Sequence, residues 1–286
     1  MDGAVYALTM PATPRSCAVF NSPHSGAAYP RAFLDVIDLG PLQVRSSEDA
    51  FVDELFAAAP GCGAPLLAAR VPRACIDLNR AADDLDPALI AGASRRFVNA
   101  RIAAGLGVIP RVVGEGRPIM QGKLTLAEAQ RRIDDYWHPY HDRLRALLAG
   151  ARARFGAAVL FDCHSMPHDA LNAAPSVRGR RPEVVLGDRF GVACGRWVID
   201  AAEEAFATQG FVVVRNMPFA GGYITQTYGR PHQGVHALQI EIDRSLYMDE
   251  ARIERRPEFG TVAAAIGGVV AALAGLGPRP LSVAAE

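Results

Sequence analysis

The sequence predicts an α/β fold built as one domain, and three observations carry that prediction. Five short apolar runs have the length and composition of buried strands. Helical patterns separate most of them, and that alternation implies a sheet covered by helices on both faces. The chain has 286 residues, half of them hydrophobic and about a fifth charged, enough for a sizeable core and an enclosed site.

From the N-terminus, the first expected strand is Cys17 to Phe20. A helix is then expected from Ser46, whose hydroxyl would cap it while Asp49 answers three residues later. Phe51, Val52, Leu55 and Phe56 would form its apolar face. Leu66 to Val71 is the second strand, and Asp83 to Gly122, bearing Pro and Gly, reads as an irregular insertion of the kind that often carries function. Thr125 with Glu128 forms a second capping box, opening a helix toward Leu148 with a kink expected at Pro139. Ala157 to Phe161 is the third strand, and Met166 to Gly195 reads as a second irregular insertion. Phe211 to Arg215 and Ala237 to Ile242 complete the strands. Near the C-terminus Phe259, Val262, Ile266, Val269 and Leu273 recur at helical spacing, which predicts a helix docked on the core.

Composition narrows the function. Lys plus Arg equals Asp plus Glu at 30 each, so no broad field draws the chain to nucleic acid or an anionic membrane. The most apolar stretch, Thr261 to Leu276, is too short and too rich in Ala and Gly to span a bilayer, which takes about twenty residues. Cys17, Cys62, Cys75, Cys163 and Cys194 are odd in number and contain no CxxC pair, and the chain opens without a basic region followed by an apolar run. The expectation is a reduced cytoplasmic protein whose partner is a small molecule.

Two histidines stand where strands end. His24 lies in Asn21-Ser22-Pro23-His24-Ser25-Gly26 after the first strand, and His164 in Asp162-Cys163-His164-Ser165 after the third. In open α/β sheets ligands gather outside the carboxyl ends of strands, so two such histidines can meet at one site. Neutral imidazole is a good zinc ligand, and Asp162, on the same side of its strand as His164, could hold that ring's second nitrogen. A histidine ending a strand can equally serve only a local hydrogen bond. Catalytic zinc needs a third protein donor, and Glu48 and Asp49 are the nearest acids after His24; spacing does not choose between them, and either could simply complement a helix dipole.

Glu241 interrupts the apolar run Ala237 to Ile242, where an unpartnered carboxylate is costly to bury. It reads either as a general base or as a strand-edge acid facing water or paired with Arg244. Arg73, Asn79 and Arg80 offer donors for a carboxylate ligand, although single arginines are common on surfaces. Gly221-Gly222-Tyr223 reads as a loop near a ligand or as a plain turn with an aromatic cover. Cys163 is disfavoured as a nucleophile paired with His164, because adjacent strand side chains point to opposite faces.

Read in order, six motifs form a series. They are Pro23-His24-Ser25-Gly26; Asp49 with Val52-Asp53-Glu54-Leu55-Phe56; Ile76-Asp77-Leu78-Asn79-Arg80; Phe161-Asp162-Cys163-His164-Ser165; Gly221-Gly222-Tyr223-Ile224-Thr225 with Tyr228-Gly229; and Gln239-Ile240-Glu241 with Tyr247-Met248. This series resembles that of N-formylglutamate amidohydrolases. The resemblance implies a single catalytic domain over residues 1–286, with a mixed central β-sheet flanked by helices and a zinc-carboxypeptidase-like architecture. It implies one zinc ion held by His24, Asp49 and His164, with Glu241 and Arg73 catalytic and Asn79, Arg80, Gly222 and Tyr223 around the substrate. The implied partner is an acidic N-acyl amino acid, N-formyl-L-glutamate above all. A metallocarboxypeptidase, another N-acyl amino acid hydrolase and a silent metal-binding relative are the rival readings. Two departures stand out: Ala50 replaces the aromatic that often follows the metal-site aspartate, and Leu186-Gly187-Asp188-Arg189 resembles other branches of the family.

Overall fold

In a computed structural model, which describes residues 5–96 and 98–277, seven strands form one mixed sheet. They are β1 (Tyr6–Thr9), β2 (Ala18–Ser22), β3 (Leu66–Ala69), β4 (Ala158–Met166), β5 (Val184–Gly187), β6 (Val213–Arg215) and β7 (Val235–Asp243). Their spatial order is β1-β3-β2-β4-β7-β5-β6. The central strands β3, β2, β4 and β7 run parallel, β1 and β5 lie antiparallel to their neighbours β3 and β7, and β6 is parallel to β5. The sheet is therefore mixed and helix-flanked, as the resemblance implied. The expected span of 1–286 includes residues 1–4, 97 and 278–286, which lie outside the described residues.

All five expected strands form, with shifted ends, but two were not anticipated. β1 is a half-buried edge strand with little apolar signature. β5 lies inside the segment read as irregular, where Val184, Val185 and Leu186 are too short a run to stand out from loop.

The helices that bear on the site and the core are α1 (Pro41–Arg45), α2 (Val52–Leu55), α3 (Leu126–Arg132), α4 (His138–Phe155), α5 (Arg196–Thr208), α6 (Tyr223–Tyr228) and α7 (Phe259–Ala274), beside two single-turn helices at Arg31–Leu34 and Ala100–Ala103. Ser46 does not start a helix. It ends α1, its hydroxyl donating to the Gln43 carbonyl at 2.7 Å, because Pro41, with its fixed φ, begins a turn five residues earlier. Phe51, at φ 66, then breaks continuity before α2 and leaves Asp49 in a turn. The Thr125–Glu128 capping box forms as expected, with Glu128 N donating to Thr125 Oγ1 at 3.2 Å. The expected disturbance near Pro139 is a π-helical turn at Ile133–Trp137, just ahead of the proline. α7 forms as expected and buries Ile266, Val269 and Leu273. Among the described residues no helix is long and apolar enough to cross a membrane.

Register along the sheet divides the core and creates the site. Phe161 and Cys163 of β4 and Leu238, Ile240 and Ile242 of β7 face one core, which α2, α5 and α7 cover. Cys163 thus points away from His164, as the alternation requires. On the other face Val19, Leu160 and Ala237 join a second core covered by α4 and α6. Toward the carboxyl ends that second face turns polar, with Asn21, Asp162, His164, Gln239 and Glu241. Asp162 is paired in register with Gln239, and His164 with Glu241. Polar groups here stand at the end of a hydrophobic wall.

Candidate functional site

At that polar end lies a cavity of about 640 Å³, lined among others by His24, Asp49, Arg73, Asp77, Asn79, Arg80, His164, Gly222, Gln239, Glu241 and Arg244. β2 delivers His24 two residues after its last residue, and β4 delivers His164 from its face. Asp49 arrives from the turn after α1, anchored by a backbone bond from its N–H to the His24 carbonyl at 3.0 Å. The two imidazole rings are 4.8 Å apart at their centroids. One donor atom from each of His24, Asp49 and His164 lies within 4.8 Å of the others, all three residues being buried.

Two observations fit this trio to a cation. His24 Nδ1 is buried without a hydrogen-bond partner among the described residues, although Asp49 Oδ2 is 3.4 Å away. Such an orphan is costly unless a ligand completes it. Two imidazoles and one carboxylate are also a donor set that suits zinc and leaves room for a fourth, exchangeable position. Glu48 is not part of the set: it accepts from the Tyr29 hydroxyl and, at 3.0 Å, from Arg45 Nε, on the far side of the turn.

Supporting groups surround the trio. His24 Nε2 is 2.7 Å from Asp77 Oδ1, so Asp77 fixes the ring with Nδ1 turned to the centre. Asp77 was not singled out as a site residue from the sequence, where it sat quietly between Ile76 and Leu78. Asp162 Oδ2 is 3.0 Å from His164 Nε2, as expected, but poorly aligned, and its Oδ1 accepts instead from Asn21 Nδ2 at 2.7 Å. Arg244 donates to Asp49 Oδ1 at 2.9 Å, and so pairs with Asp49 rather than with Glu241.

The charges tune one another. Burial would raise the Asp49 carboxyl, yet the His164 and His24 rings and Arg244 hold it well below the usual carboxylate range. Asp77 is likewise penalised by burial and pulled well down by Arg73, His24 and Arg80. Burial disfavours a charged His164, but Asp162 and Asp49 outweigh it and raise the ring well above its ordinary value. A cation bound here would have to displace a proton from this ring. Glu241 is pushed up to about 7 by burial, with Asp49 adding to the rise and His164, Arg73 and Arg244 opposing it. Gln239 Nε2 donates to Glu241 Oε1 at 2.8 Å. The polar alternation Gln239, Glu241, Asp243 within β7 was the sequence signal for Gln239.

The remaining expected residues separate. Arg73 Nε donates to Asp77 Oδ2 at 3.0 Å and lines the cavity. Arg80 is buried, donating through Nε to the Leu106 carbonyl at 3.0 Å and through Nη1 to the Asn79 carbonyl at 2.9 Å. The Asn79 amide is occupied, accepting from Ile224 N at 2.8 Å with its nitrogen 3.2 Å from His164 Nε2. Gly222 passes so close that a Cβ there would meet that amide at 2.5 Å, so any larger residue would displace the Asn79 side chain. Tyr223 turns away from the cavity, its ring 5.9 Å from Trp137 and 5.6 Å from His141, because as the first residue of α6 it faces the second core.

A family profile of N-formylglutamate amidohydrolases matches residues 16–248. The chain is 32% identical to an N-formylglutamate deformylase of Pseudomonas aeruginosa, over 81% of this chain and 82% of that one. It is 31% identical to an N-formylglutamate deformylase of Pseudomonas putida over the same shares. The crystal structure of an N-formylglutamate amidohydrolase from Ralstonia eutropha superimposes with a TM-score of 0.88 at 38% identity, covering 95% of this chain and 97% of that one. A profile spanning most of the chain, two relatives above 30% identity and a shared fold place this chain in the N-formylglutamate amidohydrolase family.

Proposed function

We propose that this chain is a zinc-dependent deformylase that hydrolyses N-formyl-L-glutamate to formate and L-glutamate. The observation that carries the reading is the convergence of His24, Asp49 and His164 beside Glu241, at the floor of a cavity with arginines in its walls. A divalent cation held by those three residues would supply Lewis acidity and lower the pKa of water toward neutrality.

Glu241 is the general base. Burial poises it near neutral pH, where a carboxylate accepts a proton from the attacking water and can return it to the leaving amine. Gln239 holds one of its oxygens and leaves the other for the proton. The water oxygen bonds to the formyl carbon, the carbon–nitrogen bond breaks, and the returned proton completes the amine. Arg73, fixed by Asp77, donates to the oxyanion that forms on the carbonyl oxygen. Arg80 contacts a substrate carboxylate through a charge-assisted hydrogen bond. Asn79, occupied by Ile224 and close to His164, keeps the wall and the ring in place.

Metal analysis coupled to a formate-release assay tests the reading. The expected result is about one zinc per chain and release of formate from N-formyl-L-glutamate, lost on chelation and restored by zinc. Turnover only of longer N-acyl amino acids would move the assignment to another hydrolase, and metal without turnover would remove it.

A further inference from the structure

We propose that Arg189 binds the side-chain carboxylate of the substrate and thereby sets the preference for N-acylated acidic amino acids over neutral ones. This rests on the reading of the chain as an N-formyl amino acid hydrolase and adds a determinant outside the six motifs that carry the family resemblance.

Arg189 lines the cavity from the turn after β5. Its backbone is strained: Arg189 and Phe190 are consecutive left-handed residues, at φ 56 and 57, without glycine's freedom. Strain of this kind persists where surroundings over-determine it, and it clusters at ligand sites. The surroundings here do so. Arg189 N donates to the Ala220 carbonyl at 2.8 Å. Asn216 Oδ1 accepts from Asp188 N at 3.1 Å and Phe190 N at 3.2 Å, while its Nδ2 donates to Asp188 Oδ1 at 2.8 Å.

The outcome of that framework is the position of one side chain. Arg189 lies across the cavity loop at Gly221, which has φ +126 and where a Cβ would come within 3.0 Å of Arg189 Cγ. Its Nη1 makes one long contact, 3.4 Å to the Gly221 carbonyl. The guanidinium thus keeps donors for a ligand, and it forms no ion pair with a carboxylate among the described residues. Arg73 and Arg244 differ, being matched to Asp77 and Asp49.

Charge accounting points to the class of ligand. The chain as a whole carries no net charge, yet five arginines and three carboxylates, Asp49, Asp77 and Glu241, line this cavity. A cleft with an excess of one sign concentrates ligands of the other. Arg80 lines the cavity 3.9 Å from Asp77, whose other oxygen holds His24. Arg189 lines it beside the Gly221-Gly222 loop, whose second glycine abuts Asn79. Two separate cationic side chains in one cavity suit a ligand with two carboxylates, such as an N-acylated glutamate.

The test is steady-state kinetics of the wild type, Arg189→Gln and Arg189→Lys on N-formyl-L-glutamate and its neutral isostere N-formyl-L-glutamine, with calorimetric binding of glutarate and butyrate. Loss of one charge-assisted contact should lower the kcat/KM ratio of the acidic to the neutral substrate by about tenfold or more in Arg189→Gln, through KM. Arg189→Lys should recover part of the ratio, and glutarate binding should weaken more than butyrate binding. An unchanged ratio, or equal losses on both substrates, would overturn the proposal while leaving the deformylase reading intact. A wild type that hydrolyses neither substrate removes both.

Discussion

Asp77 Oδ1 sits 2.7 Å from His24 Nε2, and this contact decides which nitrogen of His24 faces Asp49 and His164. The same carboxylate accepts from Arg73 Nε at 3.0 Å and from Asn79 N at 2.8 Å, so one buried acid aligns the His24 ring, a cavity arginine and the loop carrying Asn79. Asp77→Asn keeps the size but weakens the hold on the ring. Zinc affinity should fall by about ten- to a hundredfold, read by competition against a chromogenic chelator. Unchanged affinity would show that the ring needs no such support.

Glu241→Gln keeps the shape of the side chain and removes the base. The expected outcome is normal folding, retained zinc and a fall in kcat of at least about a hundredfold, measured by formate release. Loss of zinc from this variant would make Glu241 a ligand, and near-normal turnover would end its role as base.

Arg80→Ala should mainly raise KM for N-formyl-L-glutamate, since a ground-state contact is lost. Because Arg80 also braces the Leu106 and Asn79 carbonyls, Arg80→Lys separates the charge from the bracing. A KM unchanged in both variants would exclude the contact.

His141 gives a pH signature away from the reacting groups. Its Nδ1 is 2.7 Å from the Tyr228 hydroxyl and its Nε2 2.9 Å from the Leu78 carbonyl, and burial lowers its pKa to about 3. The unfolded chain binds this proton near 6.5 and the folded chain only near 3, so the folded state loses stability as the pH falls between those values. Each pH unit in that window should cost about 1.4 kcal/mol from this group, and none above it. Denaturation of the wild type and His141→Gln at pH 7 and pH 5 checks this, the variant having the shallower dependence. Parallel profiles would exclude a buried neutral ring.

The sequence by itself determined the parts that rest on local periodicity and strand-end position. The apolar runs that became the central strands, the Thr125–Glu128 capping box, the spacing in α7 and the alternation that turns Cys163 away from His164 are all properties of neighbouring residues. Two strand-end histidines and a carboxylate interrupting an apolar strand were legible for the same reason. Tertiary structure decided what local pattern cannot contain. Asp49 rather than Glu48 joins the histidines because Phe51 breaks the helix expected from Ser46, and because the Asp49 N–H bonds to the His24 carbonyl. Arg244 meets Asp49 across 195 positions of chain, and Asp77 meets His24 across 53. Tyr223 faces the second core because α6 begins there, and Arg189 reaches the cavity only because Asn216, far along the chain, holds its strained turn. These are long-range pairings, set by which loops the sheet order brings together.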